Sequence, residues 1–139
     1  MPAKQKKPKH NPFVQVFHFK HDKTKEGRLL SSVKIGDVYM SRLTIKPGII
    51  TGNYFRKKNM LMFYVESGNV FSVCEHAQSK ERKEFHLKPG EQVVHVPPMV
   101  SLATKNIGKT TAILVFFSTR PIRDETDYFS YVVMGNVET

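Results

Sequence analysis

The sequence has one cysteine, no tryptophan, no long apolar run and few acidic residues, and several of these shortages exclude a class of protein or site. Its single cysteine excludes an intrachain disulfide and any multi-cysteine zinc site, and it fits a reducing compartment. The apolar runs stay far below the roughly 20 residues of a transmembrane helix. The basic N-terminus lacks the apolar stretch of a signal peptide.

Acidic residues are outnumbered, with 12 against 22 basic ones and a net charge of +10. Much of this excess lies near the N-terminus, where residues 1–12 combine three prolines and four lysines with almost no apolar side chains. Such a composition predicts a disordered basic arm. Its candidate anion contacts are Lys4, Lys6, Lys7 and Lys9.

Residues 13–139 are predicted to form a single all-β domain with little helix. Short apolar runs recur every 8–14 residues, separated by turn signals such as Pro47-Gly48 and Ser67-Gly68-Asn69. No segment has the apolar periodicity of an amphipathic helix. The runs predict an antiparallel sandwich or barrel, with strands in FVQVFHF, RLLSSVKI, VYMSRLTI, MLMFYVES, NVFSVCE, KEFHL, QVVHV, AILVFFS and YFSYVV.

Two spaced patterns of residues carry further information. The first runs through Gly48, Tyr54, Arg56, Leu61 and Gly68, and the second through Gly90, Pro97, Met99, Leu102 and Asn106. Together they resemble the two signature motifs of the cupin superfamily, a jelly-roll β-barrel, over roughly residues 37–118. The turn-forming positions match, except that Met99 stands where the family has glycine and the spacing before Pro97 differs by one residue.

The resemblance implies four inward positions that hold a divalent metal in metal-binding cupins. Here they are Tyr54, Arg56, Leu61 and Leu102. Leucine has no lone pair to donate, and a cationic arginine repels a metal ion. We therefore expect no metal and no cofactor. The six histidines show no metal-ligand spacing, and nothing near Cys74 favours a reactive thiolate.

A metal-free branch of the cupins keeps one enzymatic alternative open. The stretch Gly52–Lys58 resembles that of the sugar-nucleotide ketoisomerases and epimerases, which use histidine as base and tyrosine as acid. Tyr54 and Arg56 replace both histidines, and neither titrates near neutral pH. Catalysis would need another base, so the main expectation is that the chain is not an enzyme.

A finer resemblance is to the dimerisation domain of centromere protein C. It rests on four segments, 45–48, 59–70, 95–97 and 105–107. This resemblance implies a homodimeric, non-catalytic scaffold of the inner kinetochore in the nucleus. The implied partners are centromeric chromatin or a kinetochore protein, such as a centromeric histone chaperone.

Strand alternation predicts the candidate interface independently. If Tyr54 and Arg56 point inward, Phe55 points outward, and Met60, Met62 and Tyr64 also point outward. Such a patch is typical of an interface, with cover by the same chain as the alternative. The run Tyr128–Met134 is apolar on both faces, so it is either covered by a partner or central in its own sheet. It adds Tyr131, Val133 and Met134 to the interface candidates.

The cluster Arg56-Lys57-Lys58 and the basic arm are candidates for contacts with DNA phosphate or an acidic peptide. No reader helix or zinc finger accompanies them, so any DNA contact is expected to be non-specific. The alternatives are a basic nucleic-acid-binding module and a solvated basic surface. Phe55, beside this cluster, is the predicted anchor for a partner protein.

Overall fold

A computed structural model describes residues 13–135, and the fold is almost entirely β. One 3₁₀ turn, Glu125–Asp127, is the sole helical element of the described residues. None of these residues forms a helix long and apolar enough to cross a membrane. The strands are β1 (Lys20–Asp22), β2 (Arg28–Ile35), β3 (Val38–Ile45), β4 (Ile50–Phe55), β5 (Leu61–Ser67), β6 (Val70–His76), β7 (Arg82–Leu87), β8 (Val94–Val96), β9 (Val100–Asn106), β10 (Ala112–Ser118) and β11 (Phe129–Ser130).

The strands form two antiparallel sheets that pack face to face. The large sheet has the order β1-β2-β3-β10-β5-β8, and the small sheet has the order β11-β4-β9-β6-β7. Strands that are neighbours in sequence are often separated in the sheets, as β4 and β5 are, so the chain crosses between the layers repeatedly. The predicted all-β, antiparallel jelly roll is confirmed.

Alternation along the strands places the core between the sheets. On β5, Leu61, Phe63 and Val65 are buried, while Met62 between them is exposed. The ring of Phe63 stacks on Phe116 of β10 at 4.8 Å between centroids. Burying apolar side chains such as these stabilises the barrel.

The predicted strands vary in accuracy along the chain. The runs RLLSSVKI, VYMSRLTI and AILVFFS coincide with β2, β3 and β10. The run FVQVFHF at 13–19 is not a strand, because the ladder with β2 begins at Lys20. The candidate anion contacts Lys4, Lys6, Lys7 and Lys9 lie outside the described residues, as does the rest of the predicted arm.

The C-terminal run differs from the strand predicted for it. Only Phe129–Ser130 pairs, with Phe55 and Tyr54 of β4, and residues 131–135 continue without strand pairing. Asn53 holds this continuation: its side-chain amide donates to the Met134 carbonyl at 2.8 Å, and its side-chain oxygen accepts from the Val133 and Met134 amides. The side chains of Tyr131, Val133 and Met134 therefore pack with Val73 and Ala103 on the outer face of the small sheet, while Val132 between them is exposed.

Candidate functional site

The four former ligand positions of the cupin motifs converge on one cavity inside the barrel. Tyr54 comes from β4, Arg56 follows that strand, Leu61 begins β5 and Leu102 lies on β9, opposite Tyr54. The cavity encloses about 70 Å³. Its floor is apolar, formed mainly by Leu30, Leu43, Leu61, Leu102 and Phe116.

The rest of the wall comes from outside the two motifs. Lys25 reaches the cavity from the β1–β2 connection and Arg28 from the first position of β2. Ile122, Arg123 and Tyr128 reach it from the segment after β10. Sequence reasoning missed Lys25, Arg28, Arg123 and Tyr128 as site residues. For Arg28 a signal was present: alternation along β2 puts it on the same face as the inward Leu30.

A buried carboxylate fixes the C-terminal segment over this end of the barrel. Asp127 accepts hydrogen bonds from the amides of Lys57, Lys58 and Asn59 at 2.7–3.0 Å. Burial raises the pKa of Asp127, but these three backbone donors outweigh burial and hold the pKa below its ordinary value. The clamp joins the turn after β4 to the residue preceding Tyr128.

Two tyrosines form a stacked pair at the cavity. The rings of Tyr54 and Tyr128 lie 3.9 Å apart and nearly parallel, with the ammonium of Lys25 over Tyr54 at 5.6 Å. Within residues 13–135, neither hydroxyl has a hydrogen-bond partner. Burial raises the pKa of Tyr128, and nearby Tyr54 adds to the effect, so the Tyr128 hydroxyl stays protonated at neutral pH.

Cationic groups dominate the electrostatics of the wall. Lys25, Arg28, Arg56 and Arg123 face one carboxylate, Asp22, which pairs with Arg123 at 3.2 Å. Arg56 is buried, donates to the Ile122 carbonyl and lies 5.2 Å from the Tyr128 ring. Burial lowers the pKa of Arg56, although a guanidinium remains charged at neutral pH.

A divalent metal does not fit this set of residues. The former ligand positions offer a tyrosine that stacks on a second ring, a buried guanidinium and two leucines. A metal ion would be repelled by Arg56 and would gain no ligand from Leu61 or Leu102. Among residues 13–135, no other group of three or more histidines, cysteines or carboxylates could hold one.

The loop before β9 keeps the backbone geometry that the motif requires. Met99 occupies the position of the family's glycine and adopts a left-handed conformation, with φ of 74°. Its amide donates to the Arg56 carbonyl at 2.7 Å, and its carbonyl accepts from Ala77. The loop thereby positions the buried arginine, despite the strain of a side chain at positive φ.

The cavity lining does not include Cys74, His76, His86 or His95. Cys74 is half-buried on β6, and burial raises its pKa to about 11, which keeps the thiol protonated. His76 ends the same strand and accepts amide hydrogens from the following turn. His86 and His95 lie on β7 and β8.

The predicted interface residues divide between two surfaces. Phe55 lies on the outside of the small sheet, where it stacks on Phe129 at 5.3 Å and meets Tyr131 edge-on. Tyr131 also donates to Glu75, and Val133 is buried. The chain's own C-terminal segment thus covers Phe55, so the structure favours intrachain cover for Phe55, Tyr131, Val133 and Met134.

The other surface is the outer face of the large sheet. Met62 is 46% exposed there, Tyr64 is half-exposed and Met60 lies just before the strand. Backbone register aligns Met62 with Phe117, Met40 and Val33 across four strands. This face remains an open candidate for an interface.

Lys57 and Lys58 are exposed at the opposite sheet, where Lys57 lies over the Phe129 ring.

Comparison with solved structures places the fold among the cupins. CapF from Staphylococcus aureus, a capsular polysaccharide assembling protein, matches with a TM-score of 0.71 and 22% identity over 82% of this chain. An oxalate decarboxylase variant from Bacillus subtilis matches with a TM-score of 0.62 and 17% identity over 68% of the chain. An oxalate oxidase matches with a TM-score of 0.62 and 16% identity over 70%.

The chain spans 34% of the length of CapF, 26% of the decarboxylase and 54% of the oxalate oxidase. No family model and no curated protein matches the sequence. The identities are low, so the likeness establishes the cupin fold alone. No comparison supports the finer resemblance to centromere protein C, and none supports the predicted kinetochore, nuclear or DNA-binding roles.

The prediction that the chain is not an enzyme is contradicted. Solved structures that share its fold include an oxalate decarboxylase and an oxalate oxidase, proteins named for the reactions that they catalyse. The prediction rested on lost motif residues at four positions. It overlooked the cavity that remains there and the arginines and Tyr128 that other segments bring to it.

Proposed function

We propose that the chain is a metal-independent cupin enzyme that acts on an anionic sugar-type substrate, in the class of the sugar-nucleotide epimerases and ketoisomerases. The observation that carries this proposal is the composition of the cavity wall, with four cationic side chains, two tyrosines and a single carboxylate. The fold shared with a capsular polysaccharide assembling protein also supports a sugar-type substrate.

The cavity suits proton transfer next to a carbonyl group. When a proton leaves such a carbon, the electron pair moves onto the carbonyl oxygen and negative charge develops there. Arg28 and Arg56 would stabilise that charge, and Tyr128, kept protonated by burial, would donate a proton to the oxygen. Asp22 is the one carboxylate of the wall and the candidate proton acceptor.

Solvent-deuterium exchange tests the proposal without knowledge of the product. The protein is incubated in D₂O with a panel of nucleoside-diphosphate sugars, and NMR follows replacement of carbon-bound hydrogen on the sugar. We expect exchange with at least one sugar and a loss of about 10²-fold or more in Tyr128→Phe.

The matched control is Tyr39→Phe, which alters a tyrosine near the start of β3 that does not line the cavity and should exchange like the wild type. Asp22→Asn examines the candidate acceptor. No exchange with any sugar of the panel would contradict the proposed class of reaction.

A second candidate function is a homodimeric interaction domain of the inner kinetochore, as implied by the resemblance to centromere protein C. The observation in its favour is the apolar row Val33, Met40, Phe117 and Met62 on the outer face of the large sheet. A second copy would cover this row, and a centromeric chromatin or kinetochore protein would be the further partner. Light scattering at micromolar concentration should then give the mass of a dimer, and a monomer would contradict this candidate.

A further inference from the structure

Arg28 is the one described residue with a buried side-chain nitrogen or oxygen that lacks any hydrogen-bond partner. The atom is Nε of its guanidinium. One terminal nitrogen, Nη1, donates to the Ile50 carbonyl at 3.0 Å, so the side chain is held in place while Nε–H remains unsatisfied. Buried donors without acceptors are rare in folded proteins, and each requires an explanation.

Arg56 presents a second guanidinium to the same cavity. It is about nine-tenths buried, and its bonds are made by Nε and Nη2 to one backbone carbonyl, that of Ile122. A neutral carbonyl does not balance a buried positive charge, which ordinarily pairs with a carboxylate.

The nearby carboxylates are already engaged elsewhere. Asp22 pairs with Arg123 at the cavity rim and accepts from the Thr24 amide. Asp127 uses both of its oxygens on the amides of residues 57–59. Within residues 13–135, no carboxylate forms an ion pair with Arg28 or Arg56.

A third donor converges on these two groups. Tyr128 lines the same cavity as both arginines, and the guanidinium carbon of Arg56 lies 5.2 Å from the centre of its ring. The hydroxyl has no partner of its own among the described residues. Two cations and one neutral donor, all facing a small cavity, form a site for negatively charged oxygen.

We propose that Arg28, Arg56 and the Tyr128 hydroxyl form an oxyanion-binding subsite that takes a carboxylate or phosphate group of the ligand. The subsite rests on the proposed function in one respect, since in that reaction the same three groups would receive the substrate oxygen that gains negative charge, and a carboxylate or phosphate oxygen would occupy the same position. Guanidinium groups bind such planar or tetrahedral anions through paired N–H donors. The ligand's oxygen would supply the acceptor that Arg28 Nε lacks.

The test measures anion-dependent stabilisation of the whole chain. Thermal unfolding is followed in sodium phosphate and, separately, in sodium glycolate, each against sodium chloride at matched ionic strength. We expect a saturable rise of Tm in at least one of the two anions, because a ligand that binds only the folded state stabilises it. The two arms distinguish a phosphate from a carboxylate subsite.

Substitutions locate the effect. Arg28→Lys keeps the charge and removes the Nε–H donor, and we expect it to weaken the apparent affinity about tenfold. Arg28→Met should abolish the saturable rise. Arg42→Gln is the matched control, because Arg42 is an exposed arginine on the outer face of β3, and it should respond as the wild type does.

Three results would overturn the subsite. The first is no saturable rise of Tm in either anion. The second is a rise of Tm in both Arg28 variants equal to that of the wild type. The third is a loss of this rise in Arg42→Gln equal to the loss in the Arg28 variants. If either Arg28 variant fails to fold, isothermal calorimetry of the wild type with phosphate and glycolate decides, and no heat of binding counts against the subsite. Deuterium exchange on sugars without stabilisation by either anion would support the proposed reaction and exclude the subsite. Saturable stabilisation by an anion without deuterium exchange would support the subsite and contradict the proposed reaction.

Discussion

The single carboxylate of Asp127 fixes both the turn after β4 and the position of Tyr128. Its two oxygens receive three backbone hydrogens from the turn after β4, and through this clamp Tyr128 is placed above Tyr54. Without the clamp, three backbone amides, one of them buried, would lose their acceptor and the cavity would lose one wall. The residue therefore joins stability of the fold to the geometry of the site.

Replacing Asp127 by asparagine should lower the free energy of unfolding by about 3 kcal/mol at neutral pH, since charge-assisted hydrogen bonds are lost in a buried place. Urea denaturation measures the change. Asp37→Asn, in the exposed turn after β2, is the control and should remain within about 0.5 kcal/mol of the wild type. A loss equal to that of the control would contradict the clamp.

The clamp also predicts a pH dependence. Because the pKa of Asp127 is lowered on folding, its contribution is present above the ordinary carboxyl value of 3.8 and is lost as the pH falls toward the lower folded pKa. The wild type should therefore lose more stability than Asp127→Asn when the pH is lowered from 5 to about 3. Parallel stability curves for the two proteins would contradict this expectation.

At the scale of elements, Gly52 sets how closely β4 and β9 approach. Its φ is +106°, and a Cβ at this position would collide with the backbone oxygen of Leu102. Gly48 also has a positive φ, of +81°, but has open space around it. Gly52→Ala should thus cost about 3 kcal/mol or more in unfolding free energy, and Gly48→Ala about 1–2 kcal/mol. Equal losses in denaturant titrations would show that the strand contact is not limiting.

Asn53 is the point where the C-terminal segment attaches to β4. Its backbone is left-handed, with φ of 71°, and its side chain makes three hydrogen bonds to Val133 and Met134. Asn53→Gly keeps the backbone conformation and removes these bonds, so hydrogen exchange at the two amides should speed up. Asn53→Asp retains both acceptor bonds and should preserve most of the protection. Unchanged protection in Asn53→Gly would contradict the attachment.

The sequence predicts those strands best whose two faces differ. β5 alternates between buried and exposed residues and was predicted to within one residue. β9 is buried almost throughout and has no alternation, and β4 contains Gly52 and Asn53 in unusual conformations, so neither appeared among the predicted strands. The motif positions of the cavity were predicted from spacing. Of the remaining wall residues, Arg28 could have been found from alternation along β2. Lys25, Arg123 and Tyr128 lie on connecting segments, and only long-range pairing brings them to the cavity.

At the scale of the whole molecule, the outer faces of the two sheets differ in how far other parts of the chain cover them. Tyr131, Val133 and Met134 of the same chain cover part of the small sheet, whereas the large sheet leaves Met62 exposed. If a second copy covers the large sheet, Met62→Lys should shift the dimer toward monomer in light scattering without loss of folding. Met134→Lys, in contrast, should lower stability and leave association unchanged. Association that responds only to Met134 would place the interface on the other sheet.

The cavity also bears on the stability of the whole barrel. Arg28 places a charge beside Arg123 and buries an unsatisfied donor, and burial together with that neighbour lowers its pKa. An apolar side chain of similar length would remove both penalties and fill the same space.

Arg28→Met should consequently raise the free energy of unfolding by about 1 kcal/mol in anion-free buffer, as is common when a binding site is replaced. Added phosphate or glycolate should narrow or reverse this difference, because only the wild type gains from the anion. Chemical denaturation with and without the anion measures both effects, and a destabilised Arg28→Met protein in both buffers would instead make Arg28 a structural residue that the barrel needs for its bond to Ile50.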